Sequence, residues 1–266
     1  MKSRIAPFRR AIPPLFTQPK SISDSFRSLG STSAKSQVNI RGAIDQYQHL
    51  FEYTSGRWLY NEHVRLAERR LSFNVDELKK AAASSINKSE SDVKSIQKLA
   101  EGGFNRVFEI GMIDGTSVLA RLPYPFTQPR RLAVASEVAT MNFVRAHGVP
   151  TPRTLGYAIH ENLVGSEYIL MEKLSGRPLG DKWFDLSKQQ RLQILYDIVK
   201  LESLLFSIQL PASGSIYYAH DLNSETLKVE VPGTDGQFCV GPYVGLRWWY
   251  GKRGNLTLDR GPRKYP

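Results

Sequence analysis

Leu99 to Leu122, LAEGGFNRVFEIGMIDGTSVLARL, is the stretch whose reading decides the fold. A β-rich run from Val93 to Leu99 leads into Glu101-Gly102-Gly103. A second run, Phe104 to Ile110, leads into Asp114-Gly115, and a third, Ser117 to Leu122, follows. An Asp-Gly pair between two such runs is a strong local hairpin signal, so three antiparallel strands are expected. The Gly-Gly pair carries more. Glycine adopts φ > 0 without a Cβ clash and lets a backbone approach a ligand closely. A glycine turn between antiparallel strands can therefore lie over phosphates and offer them N–H donors.

Working outward, Arg121 is a cation in the third strand and Glu137 falls on a predicted helix. Glycine-rich hairpin, third-strand cation and helix carboxylate is the order of parts in a protein-kinase-like nucleotide lobe. The order has a physical reason: a cation held against nucleotide phosphates must be aimed, and a carboxylate from a neighbouring helix can hold it. The same residues also describe an ordinary hairpin with a solvated Arg121 and an exposed Glu137.

The remaining 3.6- and 2-residue periodicities extend this frame. Asn74 is placed to cap a short helix through Ser85, with Asp76 and Glu77 in its first turn, and an earlier helix begins near Asn61. Trp58 and Tyr60 are expected to pack against the domain. Pro123, Pro125 and Pro129 break the chain after the third strand. Leu132 to His147 reads as a helix with Val134, Val138 and Met141 inward, stopped by Gly148 and Pro150. Arg153–Ile159 and Glu167–Met171 read as two more strands, giving a five-stranded sheet with one packed helix. Beyond Glu172-Lys173-Leu174-Ser175-Gly176 the period changes to 3.6. Ser187 and Gln190 form a capping box, and Leu192, Leu195, Val199 and Ile208 an apolar stripe, opening a helical second lobe. Pro211 to Pro266 reads as turns and short strands.

Charge location narrows the function classes. Of the formal net charge of +11, residues 1–41 carry +7, from eight Lys/Arg and the single acid Asp24. A basic, acid-poor leader with Arg, Ser and Pro has the composition of a mitochondrial transit peptide, and implies import machinery as a partner. The folded body needs no basic patch, so a nucleic-acid partner is not indicated. No run approaches the roughly 20 apolar residues of a membrane span. The one cysteine, Cys239, excludes an intramolecular disulfide and reads as a buried small hydrophobe.

Several blocks in matching order, LAEGGFNRVFEI, VLARLPYP, SEVATMNFV, HGVPTPRTLGYA, EYILMEKLSGRPLGDKW and GSIYY, resemble the aminoglycoside phosphotransferase family. YTSGRWLYNE and ERRLSFNVDELKKAA match its fungal mitochondrial branch. The resemblance implies an α+β, protein-kinase-like fold: a five-stranded antiparallel nucleotide lobe with one packed helix, then the beginning of an incomplete helical lobe. Units at 1–41 (leader), 42–92 (helical extension), 93–174 (nucleotide lobe) and 175–266 (partial second lobe and tail) follow. It further implies ATP, with Mg in a complete family member. Gly102, Gly103 and Asn105 would lie on the phosphate-covering loop, Arg121 at the usual lysine position with Glu137 as its partner, and Glu172 to Leu174 at an adenine-binding hinge. Arginine there departs from the commonest pattern, since its planar fork is not a compact ammonium.

The family's His-Gly-Asp loop, with asparagine five residues after the aspartate, does not occur in these 266 residues, nor does a further metal-binding aspartate in evident spacing. Ala219-His220-Asp221-Leu222-Asn223 is the nearest string and reads as a decoy. No catalytic residue and no metal ligand is therefore assigned. The expected function is a mitochondrial phosphotransferase-like protein with little or no transfer activity as this chain. The alternative is a non-catalytic nucleotide-binding or scaffold protein. Acceptor substrate and oligomeric state have no signature here.

Overall fold

The computed structural model describes residues 47–264. The basic leader expected at 1–41 lies outside the described residues. Chain order is α1 (Glu62–Arg69), α2 (Val75–Ser85), β1 (Val93–Glu101), β2 (Asn105–Met112), β3 (Ser117–Pro123), α3 (Arg130–Ala146), β4 (Thr154–Ala158), β5 (Tyr168–Glu172) and α4 (Lys188–Ser207). Short strands β6 (Ala212–Ser213), β7 (Ser215–Tyr218), β8 (Val229–Glu230), β9 (Phe238–Gly241) and β10 (Arg263–Lys264) follow.

The first five strands form one antiparallel sheet in the order β1-β2-β3-β5-β4. This is the kinase-like α+β arrangement expected from the sequence. Asp114 organises the β2–β3 turn: its carboxylate accepts from the Thr116 N–H and hydroxyl, and Gly115 takes φ +86°. Asn74 caps α2 by accepting from the N–H groups of Asp76 and Glu77. Helix α3 ends in a paired-bond cap at Gly148 (φ +88°), with Gly148 N–H donating to Arg145 and Val149 N–H to Val144.

Strand alternation divides the sheet into two faces, each with its own core. Val118, Ala120 and Leu122 of β3, with Phe108 and Ile110 of β2, pack against Leu50, Leu71, Val75 and Leu78 from the N-terminal helical segment. Ile169, Met171 and the half-buried Leu119 point the other way, onto Val134 and Val138 of α3. Behind α3 stands a three-stranded sheet in the order β7-β9-β8, contributing Tyr217, Tyr218, Phe238 and Val240 to that second core. Full burial of a side chain of this size contributes about 1.5–3 kcal/mol. Helix α3 is thus clamped from both sides, which fixes the height and rotation of whatever it presents at its edge.

Three expectations need correction. Tyr60 is 80% exposed, whereas Trp58 does pack, with Arg69 held between its ring and that of Phe126 at 4.7 and 4.6 Å. Helix α4 forms with its Ser187/Gln190 capping box, but none of its residues is buried: Leu192, Leu195 and Val199 are exposed, and of the expected stripe Ile208, just past the helix, packs on the second core. Neither Gly102 nor Gly103 adopts a positive φ. Among the described residues no helix is long and apolar enough to cross a membrane. Cys239 is buried on β9, as a small hydrophobe would be.

Candidate functional site: a glycine turn, a guanidinium and its carboxylate

The turn between β1 and β2 closes tightly, with Gly102 N–H donating to the Asn105 carbonyl at 2.8 Å. A Cβ on Gly102 would come within 3.3 Å of that carbonyl, whereas one on Gly103 would meet nothing within 4 Å. The glycines thus serve compactness on one side of the turn and an open, side-chain-free approach on the other. Handedness of the backbone is not their reason.

Register then aligns the polar groups. Asn105 opens β2 and Val107 pairs with Arg121, so Asn105 and Arg121 share a face two residues apart. Arg121 Nε donates to Asn105 Oδ1 at 3.0 Å, and Arg121 Nη1 is ion-paired with Glu137 Oε1 of α3. Both members of the pair are half-buried. Burial pushes the Glu137 carboxyl above its ordinary range, while the charge and hydrogen bond of Arg121 pull it back. Glu137 is held next to the inward residues Val134 and Val138, so the seating of the helix aims the carboxylate at β3.

Gly102, Gly103, Asn105, Arg121 and Glu137 therefore form one continuous constellation. Glu172 and Leu174 do not join it through their side chains. Glu172 pairs with Val118, a residue of the opposite face, and its carboxylate accepts from the Arg153 N–H at 2.7 Å and lies near Arg145. Its own N–H donates to the Arg153 carbonyl. Leu174 is exposed and lines a groove with Ile86, Lys88 and Ser117.

Two residues went unread in the sequence. Glu109, on the Arg121 face of β2, accepts from Lys173 Nζ at 2.6 Å and from Ser117 Oγ at 3.0 Å. The Lys173 bond outweighs desolvation and holds the Glu109 carboxyl below its usual range. This pair ties the segment after β5 to the centre of the sheet. Lys173 sits beside two residues that the sequence had singled out, but a partner 64 positions away leaves no local pattern.

Asp221 of the decoy string is buried, with the Tyr157 hydroxyl donating to both its oxygens at 3.1 and 3.0 Å. Desolvation raises its pKa and that of Tyr157. It serves to join β4 to the segment after β7. Among the described residues no three His, Cys, Asp or Glu side chains gather in a metal-holding group.

Residues 95–223 match the phosphotransferase enzyme family, APH. A subtelomeric hrmA-associated cluster protein of Aspergillus fumigatus is 40% identical over 169 residues, 63% of this chain and 32% of that protein. Proteins named altered inheritance of mitochondria protein 9, mitochondrial, are 28% identical in Candida albicans (70% of this chain, 36% of theirs) and 26% identical in Yarrowia lipolytica (80% and 41%). The chain spans about a third to two fifths of the length of these relatives.

Proposed function

We propose that this chain, whose residues 95–223 carry the phosphotransferase enzyme family domain, binds the polyphosphate of ATP beneath the Gly102-Gly103 turn. Arg121 would be the phosphate cation, aimed by Asn105 and Glu137. The observation that carries the reading is the Asn105–Arg121–Glu137 chain of contacts ending at a turn with open space above Gly103. A nucleotide supplies the negative charge that a guanidinium, held on its protein side by one amide and one carboxylate, would complement. The main chain at Glu172–Leu174, secured by the Glu109–Lys173 pair, is the proposed adenine edge. Mg, where present, would supply charge neutralisation to the phosphates, and no described residue is assigned to hold it.

Phosphoryl transfer depends on positioning and charge neutralisation. Without a His-Gly-Asp loop the residues here bind and orient, and little or no transfer is expected of this polypeptide alone. A mitochondrial location is proposed from the acid-poor basic leader and from the names of the relatives.

Thermal unfolding with and without MgATP tests the binding. At a ligand concentration 100 times Kd, stabilisation of about 2.7 kcal/mol is expected. Arg121→Ala should remove most of the shift. Absence of a shift at millimolar MgATP in the unsubstituted protein would refute the nucleotide reading and favour a scaffold.

A further inference from the structure

The residue immediately before the glycine turn is the centre of a buried ionic cluster. Glu101 ends β1, an edge strand whose other residues are half-buried or exposed, yet its side chain is only 1% exposed. Lys98 Nζ donates to Glu101 Oε1 at 2.9 Å, and Arg106 Nη2 lies 2.9 Å from the same oxygen. Oε2 accepts from the Thr54 N–H at 2.9 Å and the Ser55 hydroxyl at 2.6 Å. Both cations also reach the N-terminal segment: Arg106 Nη1 donates to the Leu50 carbonyl at 2.7 Å, and Lys98 Nζ to the Glu52 carbonyl and to Thr54 Oγ1.

Taking a carboxylate and a guanidinium out of water costs several kcal/mol per ion unless every lone pair and proton finds a partner. Here Glu101 Oε2 and Arg106 Nη1 find theirs in a strap, residues 50–55, while Arg106 Nε and Nη2 are buried without a hydrogen bond and leave the guanidinium dependent on its ion pair with Glu101. Glu101 faces Arg106 in register, so the strap grips the last rung before the turn on both of its strands. The turn has little side-chain packing, since Gly102 and Gly103 carry no side chains and Phe104 is half exposed; on its far side the Phe104 carbonyl accepts from the Tyr124 N–H and the Thr127 hydroxyl, so the strap holds the β1 side. Asn105, which holds Arg121, is the neighbour of Arg106. An edge strand without such a grip frays at its end.

The geometry points to the strap as a positioning device for the phosphate-covering turn, with Glu101 and Ser55 as positioning residues that touch no ligand. This inference rests on the nucleotide reading above. The strap sets where the turn sits, so loosening it should weaken ligands that reach the turn and spare those that do not.

The test compares binding of MgATP and adenosine to the whole chain carrying Ser55→Ala, Ser55→Thr or Glu101→Gln. Loss of a hydrogen bond to a charged group is worth about tenfold in an equilibrium. Ser55→Ala should therefore weaken MgATP by about tenfold while adenosine stays within about twofold, Ser55→Thr should restore MgATP binding, and Glu101→Gln should weaken MgATP further. Equal loss for both ligands, or unchanged MgATP affinity in Ser55→Ala, would overturn the inference.

Hydrogen exchange supplies an arm that needs no ligand and remains readable if Glu101→Gln folds poorly, because Ser55→Ala alters only an exposed hydroxyl. Strap amides and turn amides at 102–105 should exchange faster together in Ser55→Ala, with the β2–β3 turn unchanged. Acceleration of the strap alone would sink the coupling even where nucleotide binds. Failure of the unsubstituted chain to bind either ligand would instead remove the nucleotide reading, and with it the turn's proposed purpose.

Discussion

Arg106→Met is the substitution that most directly tests the energetics of the strap. Arg106 is fully buried, and its guanidinium bridges Glu101 Oε1 and the Leu50 carbonyl. Methionine fills much of the side-chain stem's volume and removes the charge. Glu101 is then left buried with Lys98 as its one close cation. Breaking a buried pair from one side costs about 3–5 kcal/mol, because the remaining charge stays desolvated. The lower end is expected, since Lys98, Thr54 and Ser55 still serve Glu101, so a loss of about 3 kcal/mol at pH 7 is the prediction. Urea unfolding followed by tryptophan fluorescence measures it.

The pH dependence gives this prediction a second, independent sign. Burial raises the Glu101 pKa, but the bonds from Ser55, Lys98 and Thr54 and the charge of Arg106 outweigh it and bring the carboxyl from 4.5 to about 2. A carboxyl depressed on folding stabilises fully above its unfolded pKa, and the contribution is lost as pH falls through the folded value. The contribution of this shift is therefore complete above pH 4.5 and is lost as pH falls toward about 2. In Arg106→Met the folded pKa lies closer to the unfolded one, so less remains to be lost. The stability gap between the two proteins should narrow as pH falls across that window, because the unsubstituted protein then carries an unpaired buried guanidinium. A loss below about 1 kcal/mol at pH 7, or a gap constant from pH 5 to 2.5, would refute the claim that Glu101 and Arg106 stabilise each other.

Asn74→Ala removes the acceptor of two orphan N–H groups at the start of α2 and should cost about 1 kcal/mol in urea unfolding, without altering nucleotide affinity. Gly214→Ala should cost more, at least about 2 kcal/mol, since a Cβ there would collide with the Gly241 carbonyl at φ +156°. The β7-β9-β8 sheet supports α3, so the Gly214 substitution should also weaken MgATP binding through Glu137, which a parallel titration would detect.

What the sequence made legible is what depends on short-range pattern. Strands β1 to β5 announced themselves through alternation and the Gly-Gly and Asp-Gly turns, and α2 through Asn74. The Arg121–Glu137 pairing could be read because the order of strand, strand and helix constrains which side chains meet. Side-chain direction at Glu172 could not be read, because it depends on pairing with Val118 across a long connection. Glu101 looked like a turn residue, since the partners that bury it come from a strap some 50 positions earlier. GSIYY and QFCV lie in a stretch that reads as turns and short strands, and their support of α3 emerges only once β7 pairs with β9.

The arginine at position 121, a departure from the usual lysine, follows from the same geometry. An ammonium at the end of a flexible stem is a point charge, and each bond it gives a protein partner turns it away from other directions. A guanidinium distributes donors over three nitrogens in a fixed plane. Here Nε is engaged by Asn105 and Nη1 by Glu137, two partners on different elements that together fix the plane. Nη2 makes no hydrogen bond to protein among the described residues, so on the proposed reading aiming and binding fall to different atoms of one side chain. Lysine at this position could satisfy Asn105 or Glu137, or reach toward a phosphate, but it has no rigid plane with which to do all three. On this reasoning Arg121 and Asn105 belong together, and an asparagine directly after the glycine turn is the local counterpart of an arginine in the third strand.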